Sequence, residues 1–207
     1  MSASELLYSS DPGLIIGFHG CDQDVRDKIV MHQTMLRSSK NKWDWLGEGM
    51  YFWQNNYDRA MHFATNPPVN LKIPKPAVLG AVFSLGNCLD LADKKFIDLV
   101  QLSFASLKES VKSEKAKLPI NHNPTGVNNA ADNIIRMLDC AVIKNVHKIV
   151  ADTNQPPFDT VRGIFIEGAP LYEGAGFNDK THVQICIRNP NCIKGFFIPR
   201  RLVQWPK

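Results

Sequence analysis

No stretch of the 207 residues is long and apolar enough to suggest a membrane span, although 44% of them are hydrophobic. The basic-then-apolar order of a secretory leader is missing from Met1-Ser2-Ala3-Ser4-Glu5. Cysteine is sparse: five residues, an odd number with no Cys-x-x-Cys, which argues for reduced thiols in a cytoplasm rather than a disulfide framework. No Gly-x-Gly-x-x-Gly opens a helix after a strand, so a Rossmann site is not expected. Neither an internal repeat nor a low-complexity segment is visible. Charge of neither sign dominates: 24 Lys and Arg against 20 Asp and Glu leave +4, which permits an anionic partner without demanding one. Much of the positive charge lies at Lys94-Lys95 and over 108–117, where Glu109 and Glu114 interleave. A solvated helix face explains that stretch at least as well as an RNA-binding patch.

What is present is the composition of one compact soluble domain spanning 1–207. Apolar patterning predicts strands over 14–18, 77–85, 161–166, 181–188 and 193–198. It predicts helices over 22–31, capped by Asp22 or Asp24, and over 56–64, ending before Pro67-Pro68. Two further helices, over 94–117 and 128–150, read as an insertion of about 93–150 packed against the sheet. Strands and helices segregate rather than alternate, which favours an α+β fold.

Two segments carry the chemistry: Gly17-Phe18-His19-Gly20, where an apolar run ends in a His-Gly step, and Gly47-Glu48-Gly49-Met50-Tyr51-Phe52. Glycines let backbone amides approach a ligand, a histidine supplies a donor and an acceptor, and a tyrosine supplies a stacking face. Together they suit gripping a flat polar ring. A satisfied strand-end histidine beside a packing tyrosine is the plainer alternative.

With Phe18-His19-Gly20 followed by Asp44-Trp45-Leu46-Gly47-Glu48-Gly49-Met50-Tyr51-Phe52-Trp53, the chain resembles the ADP-ribosyltransferase superfamily. The likeness is to its diphtheria-toxin and poly(ADP-ribose) polymerase side, with a His-Tyr-Glu signature, and to small bacterial toxin-type members. The resemblance implies a split β-sheet that binds NAD as substrate and cleaves the nicotinamide–ribose bond. No metal is implied. It implies that His19 bonds a ribose hydroxyl, that Gly20 offers its backbone to the carboxamide and that Tyr51 stacks on nicotinamide. A second aromatic wall would come from Tyr57, His62 or Phe63, of which Phe63 is preferred. Trp43, Trp45 and Trp53 are expected as core or loop anchors.

The third motif departs from the pattern. Residues 181–187 alternate, putting Val183, Ile185 and Ile187 on one side and His182, Gln184 and Cys186 on the other. Gln184 falls where the family has its catalytic glutamate, and His182 lies beside it as a cofactor contact. A glutamine can bond a ribose hydroxyl but cannot offset positive charge or act as a base. An acid from Glu167, Glu173 or Asp179 could restore that function, and Glu173 is the first choice as an acceptor-side base. His182, Cys186 and Cys192 lack the spacing of a zinc site, and Cys21 reads as a buried structural thiol.

The expected activity is mono-ADP-ribosylation of RNA, DNA or protein by a cytoplasmic toxin or phage-defence effector, with a possible antitoxin partner. Alternatives are a degenerate module that binds NAD or ADP-ribose, and an NAD glycohydrolase.

Overall fold

The computed structural model describes residues 13–68, 71–124 and 133–204. Strand β1 (Ile15–Asp22) runs on through His19 and Gly20, past the expected end at Phe18. The extension follows from pairing: β1 registers against β3 (Pro76–Phe83) along its whole length, from Ile15 with Phe83 to Asp22 with Pro76. Asp22 then caps helix α1 (Gln23–Val30). One carboxylate oxygen accepts from Asp24 N at 2.9 Å, and the other accepts from Lys75 N at 2.9 Å.

Residues 50–54, read from the sequence only as a glycine-bounded aromatic segment, form strand β2 (Met50–Gln54). Helix α2 (Tyr57–Thr65) follows, capped by the Asn56 side chain, which accepts from Arg59 N at 3.0 Å. After β3 come β4 (Cys88–Asp90) and α3 (Lys94–Ser113), whose cap is Asp93. A small hairpin, β5 (Asn121–His122) with β6 (Ile135–Arg136), precedes α4 (Met137–Asp152). Strands of two residues carry no periodic signal, so the hairpin was not legible. It takes up part of the segment expected to be helical from 128, whose first five residues lie outside those described. The chain closes with β7 (Thr160–Phe165), β8 (His182–Ile187) and β9 (Ile193–Phe197).

The large strands form one mixed sheet in the order β4-β7-β8-β2-β1-β3-β9, antiparallel except for β4 with β7. With the four α-helices found among the described residues it is an α+β architecture. The sheet has a weak seam. β1 and β2 register only at Gly17 with Gln54 and Phe18 with Trp53, whereas β7 and β8 pair from Thr160 through Phe165.

On one face, a core draws on both sides of the seam: Ile15 and Phe83 from one, Phe52, Ile185 and Ile187 from the other. The Phe52 and Phe83 rings, from strands separated by β1, lie 5.4 Å apart over Gly17. A Cβ there would come within 2.6 Å of the Phe83 ring. Helix α1 joins this face, with Ile29 packed on Cys21 and Leu79. On the opposite face, α3 and α4 cover one flank, with Leu99 of α3 and Ile143 and Val146 of α4 packed in a cluster with Val161 of β7, and α2 covers the other through Ala60 against Trp53 and Val78. Ser103 and Asn145 bind α3 to α4: Ser103 Oγ donates to Val142 O at 3.1 Å, and Asn145 Nδ2 donates to Ser103 O at 2.9 Å.

Candidate functional site

His19 sits where the β1–β2 ladder stops. Its Nδ1 lies 2.8 Å from the carbonyl oxygen of Tyr51. A carbonyl can only accept, so Nδ1 carries the proton and Nε2 is left as an acceptor. Burial lowers the pKa of the ring, partly countered by the Tyr51 carbonyl. His19 is therefore a neutral imidazole suited to receiving a hydroxyl proton in a hydrogen bond.

Tyr51 contributes otherwise than its ring alone suggested. Its hydroxyl donates to Gly47 O at 2.6 Å and accepts from Leu46 N at 3.1 Å. The hydroxyl thus braces the turn in which Gly47 adopts a φ of 81°. Burial, then the neighbouring Cys186 and Asp44, raises the phenol pKa, so it stays neutral.

The motif glycines have packing reasons. A Cβ on Gly49 would meet Ile187 O at 2.6 Å, and one on Gly20 would run into the carbonyl oxygen of Ala60 on α2. The close approach expected of a ligand at Gly20 is made by a helix.

Directly opposed antiparallel residues share a face. Tyr51 opposes Cys186, Trp53 opposes Gln184, and Phe165 opposes His182, so Tyr51, Trp53, Gln184 and His182 share the face that carries α2 and α4. His19 lies on the other face, its ring 5.9 Å from that of Phe52. It reaches the Tyr51 side of the sheet only through the backbone carbonyl.

On the α2 face a cluster gathers. The Trp53 ring lies 5.4 Å from Phe63 and 6.3 Å from His182, which is 5.6 Å from Phe165. Of the three candidate walls, Phe63 therefore joins the cluster. Tyr57 turns to Phe18 at 5.8 Å, and the exposed His62 accepts from Arg59 Nη1 at 3.3 Å. Trp45 is an anchor, donating to Ile134 O at 3.3 Å and meeting the Phe165 ring edge to face at 4.4 Å.

Arg59, one helical turn before Phe63, was missed by the sequence reading; its i,i+4 spacing to Phe63 was the available signal. Its Nη2 donates to Glu167 Oε2 at 2.8 Å, between side chains only 17% and 15% exposed. The same carboxylate oxygen lies 3.7 Å from His182 Nδ1, which is itself 2.8 Å from Lys180 O. Trp53 Nε1 and Arg59 Nε are buried and have no hydrogen-bond partner among the described residues. Gln184 lies at the edge of this cluster, opposite both Trp53 and Gly163, and its side chain bonds to no described residue. Glu173 stands apart. It is exposed in a turn closed by Ala175 N to Tyr172 O at 3.0 Å, and it makes no hydrogen bond or ion pair with a described residue.

Among the described residues, no three His, Cys, Asp or Glu side chains are placed to hold a metal, and no helix is long and apolar enough to cross a membrane. Comparison of the chain with protein-family models, curated proteins and solved structures found no match.

Proposed function

We propose that the protein is a mono-ADP-ribosyltransferase with a split β-sheet, which binds NAD and passes one ADP-ribose unit to RNA, DNA or protein. The observation that carries this reading is His19 at the seam between β1 and β2, neutral and with Nε2 as an acceptor. A ribose hydroxyl is the partner that such a nitrogen suits. Support comes from the opposite face of the sheet, where the aromatic cluster of Trp53, Phe63 and His182 and its buried donors suit a flat ligand rich in acceptor oxygens, so this reading has NAD pass the end of the β1–β2 ladder to meet both. The role fits a bacterial toxin or phage-defence effector working on cytoplasmic NAD, held in check by an antitoxin protein.

A second reading, an NAD- or ADP-ribose-binding module without turnover, is favoured by Gln184 at the glutamate position and by the Tyr51 hydroxyl engaged in its own turn. The test is to incubate the protein with labelled NAD plus total RNA or lysate protein. Label transferred to a macromolecule, and lost in His19→Ala and Tyr51→Ala, is the expected result. Free ADP-ribose alone would identify a glycohydrolase. Binding of NAD without its consumption would make the module reading correct.

A further inference from the structure

We propose that Glu167 is the catalytic carboxylate of this site, supplying from the end of β7 what Gln184 does not supply from β8, and that Arg59 is its positioning residue. The inference rests on the transferase reading above.

Glu167 follows β7 by two residues, at the root of the loop that leads into β8. Its carboxylate is turned inward, held by Arg59 Nη2 at 2.8 Å and lying 3.7 Å from His182 Nδ1. His182 and Gln184 are two residues apart on one face of β8, a spacing of about 7 Å along a strand. The carboxylate therefore reaches the neighbour of the position where the amide stands. The other loop acids are differently engaged: Asp179 Oδ1 accepts from Ala169 N at 2.8 Å, and Glu173 is exposed. An independent observation points to a ligand here. Trp53, only 6% exposed, buries an indole N–H without a partner, and Arg59 buries its Nε likewise. A cluster assembled around an ion pair thus keeps two donors for acceptor atoms that the described residues do not provide.

The step balances as follows. The bond from ribose C1′ to the nicotinamide nitrogen breaks, its electron pair goes to that nitrogen, and nicotinamide leaves neutral. The ribose carries the positive charge, which the Glu167 carboxylate offsets. A lone pair on an acceptor oxygen or nitrogen forms the new bond to C1′, and the acceptor's proton passes to Glu167 and on to water.

Four proteins test this: wild type, Glu167→Gln, Glu167→Asp, and Glu167→Gln combined with Gln184→Glu. Each is assayed for NAD binding by calorimetry, for nicotinamide release with total RNA and lysate protein, and for thermal midpoint. Glu167→Gln is expected to bind NAD like wild type, to lose turnover by about a hundredfold or more, and to lose the acidic limb of the pH–turnover profile. Gln184→Glu, added to it, is expected to recover about tenfold. A purely structural glutamate would give neither the pH change nor the rescue. Wild-type turnover in Glu167→Gln, or no rescue with the acidic limb intact, overturns this inference alone. Should Glu167→Gln not fold, Glu167→Asp decides: a retracted carboxylate with a preserved midpoint and lowered turnover supports the role, and unchanged turnover overturns it. A wild-type protein that neither binds nor consumes NAD overturns the transferase reading, and this inference with it.

Discussion

The phenol of Tyr51 binds two backbone groups at once, which sets the effect of losing one atom. Tyr51→Phe keeps the ring, strands Leu46 N–H and leaves Gly47 C=O with only the Cys186 thiol as donor. It is expected to lower unfolding stability by about 1–3 kcal/mol, measured by urea denaturation. His147 on α4 makes a different prediction. Both ring nitrogens are buried without hydrogen-bond partners among the described residues, the ring lies 6.1 Å from Phe158, and burial, with the charge of Arg188, lowers its pKa from 6.5 to about 4. Below pH 6.5 the unfolded chain takes up a proton that the folded chain refuses until about pH 4. Stability is therefore lost as pH falls through that window, by up to about 3 kcal/mol. His147→Leu should flatten this slope in midpoints taken across the same range. Neither residue announced its role in sequence. A buried tyrosine shows its ring through apolar patterning, but the partner of its hydroxyl depends on a turn. The unpartnered state of His147 depends on which side of α4 meets Phe158.

At the scale of elements, the helices were readable from apolar spacing, with a cap read in advance only at Asp22, although three of them are capped by local chemistry. Asp22, Asn56 and Asp93 each accept from an amide two or three residues on. Asn56→Ala is expected to destabilise the protein by about 1 kcal/mol in thermal or urea unfolding. On the transferase reading it should also weaken NAD binding, because Arg59 and Phe63 both lie on α2. Glycines were legible as constraints but not as to cause. Gly20 and Gly49 invite the idea of a ligand pressed against the backbone, yet their space is taken by Ala60 on α2 and by β8. Sequence shows that a side chain is forbidden; only tertiary contact shows what forbids it. The alternation of 181–187 did fix which side chains share a face of β8, since a period of two needs no knowledge of neighbours.

Across the whole molecule, the sheet order could not be read from the chain. It depends on β8 inserting between β7 and β2, and on β1 bridging to β3, pairings far apart in sequence. For the same reason the sequence did not separate His19 from Tyr51, Gln184 and His182, which the registers assign to opposite faces. The parallel partnership of β4 with β7 has a kinetic meaning. Cys88 meets Thr160 only after residues 91–159, with both long helices, have been gathered into a closed loop. Helices α3 and α4 can form from local contacts early, whereas this pairing must wait for loop closure. Leu89, fully buried on β4, reports on that order. Leu89→Ala is expected to cost about 2–5 kcal/mol, and stopped-flow chevrons should show the loss almost wholly as faster unfolding, with refolding barely slowed. The outer edge of the sheet would then be the last part to assemble and the first to come undone.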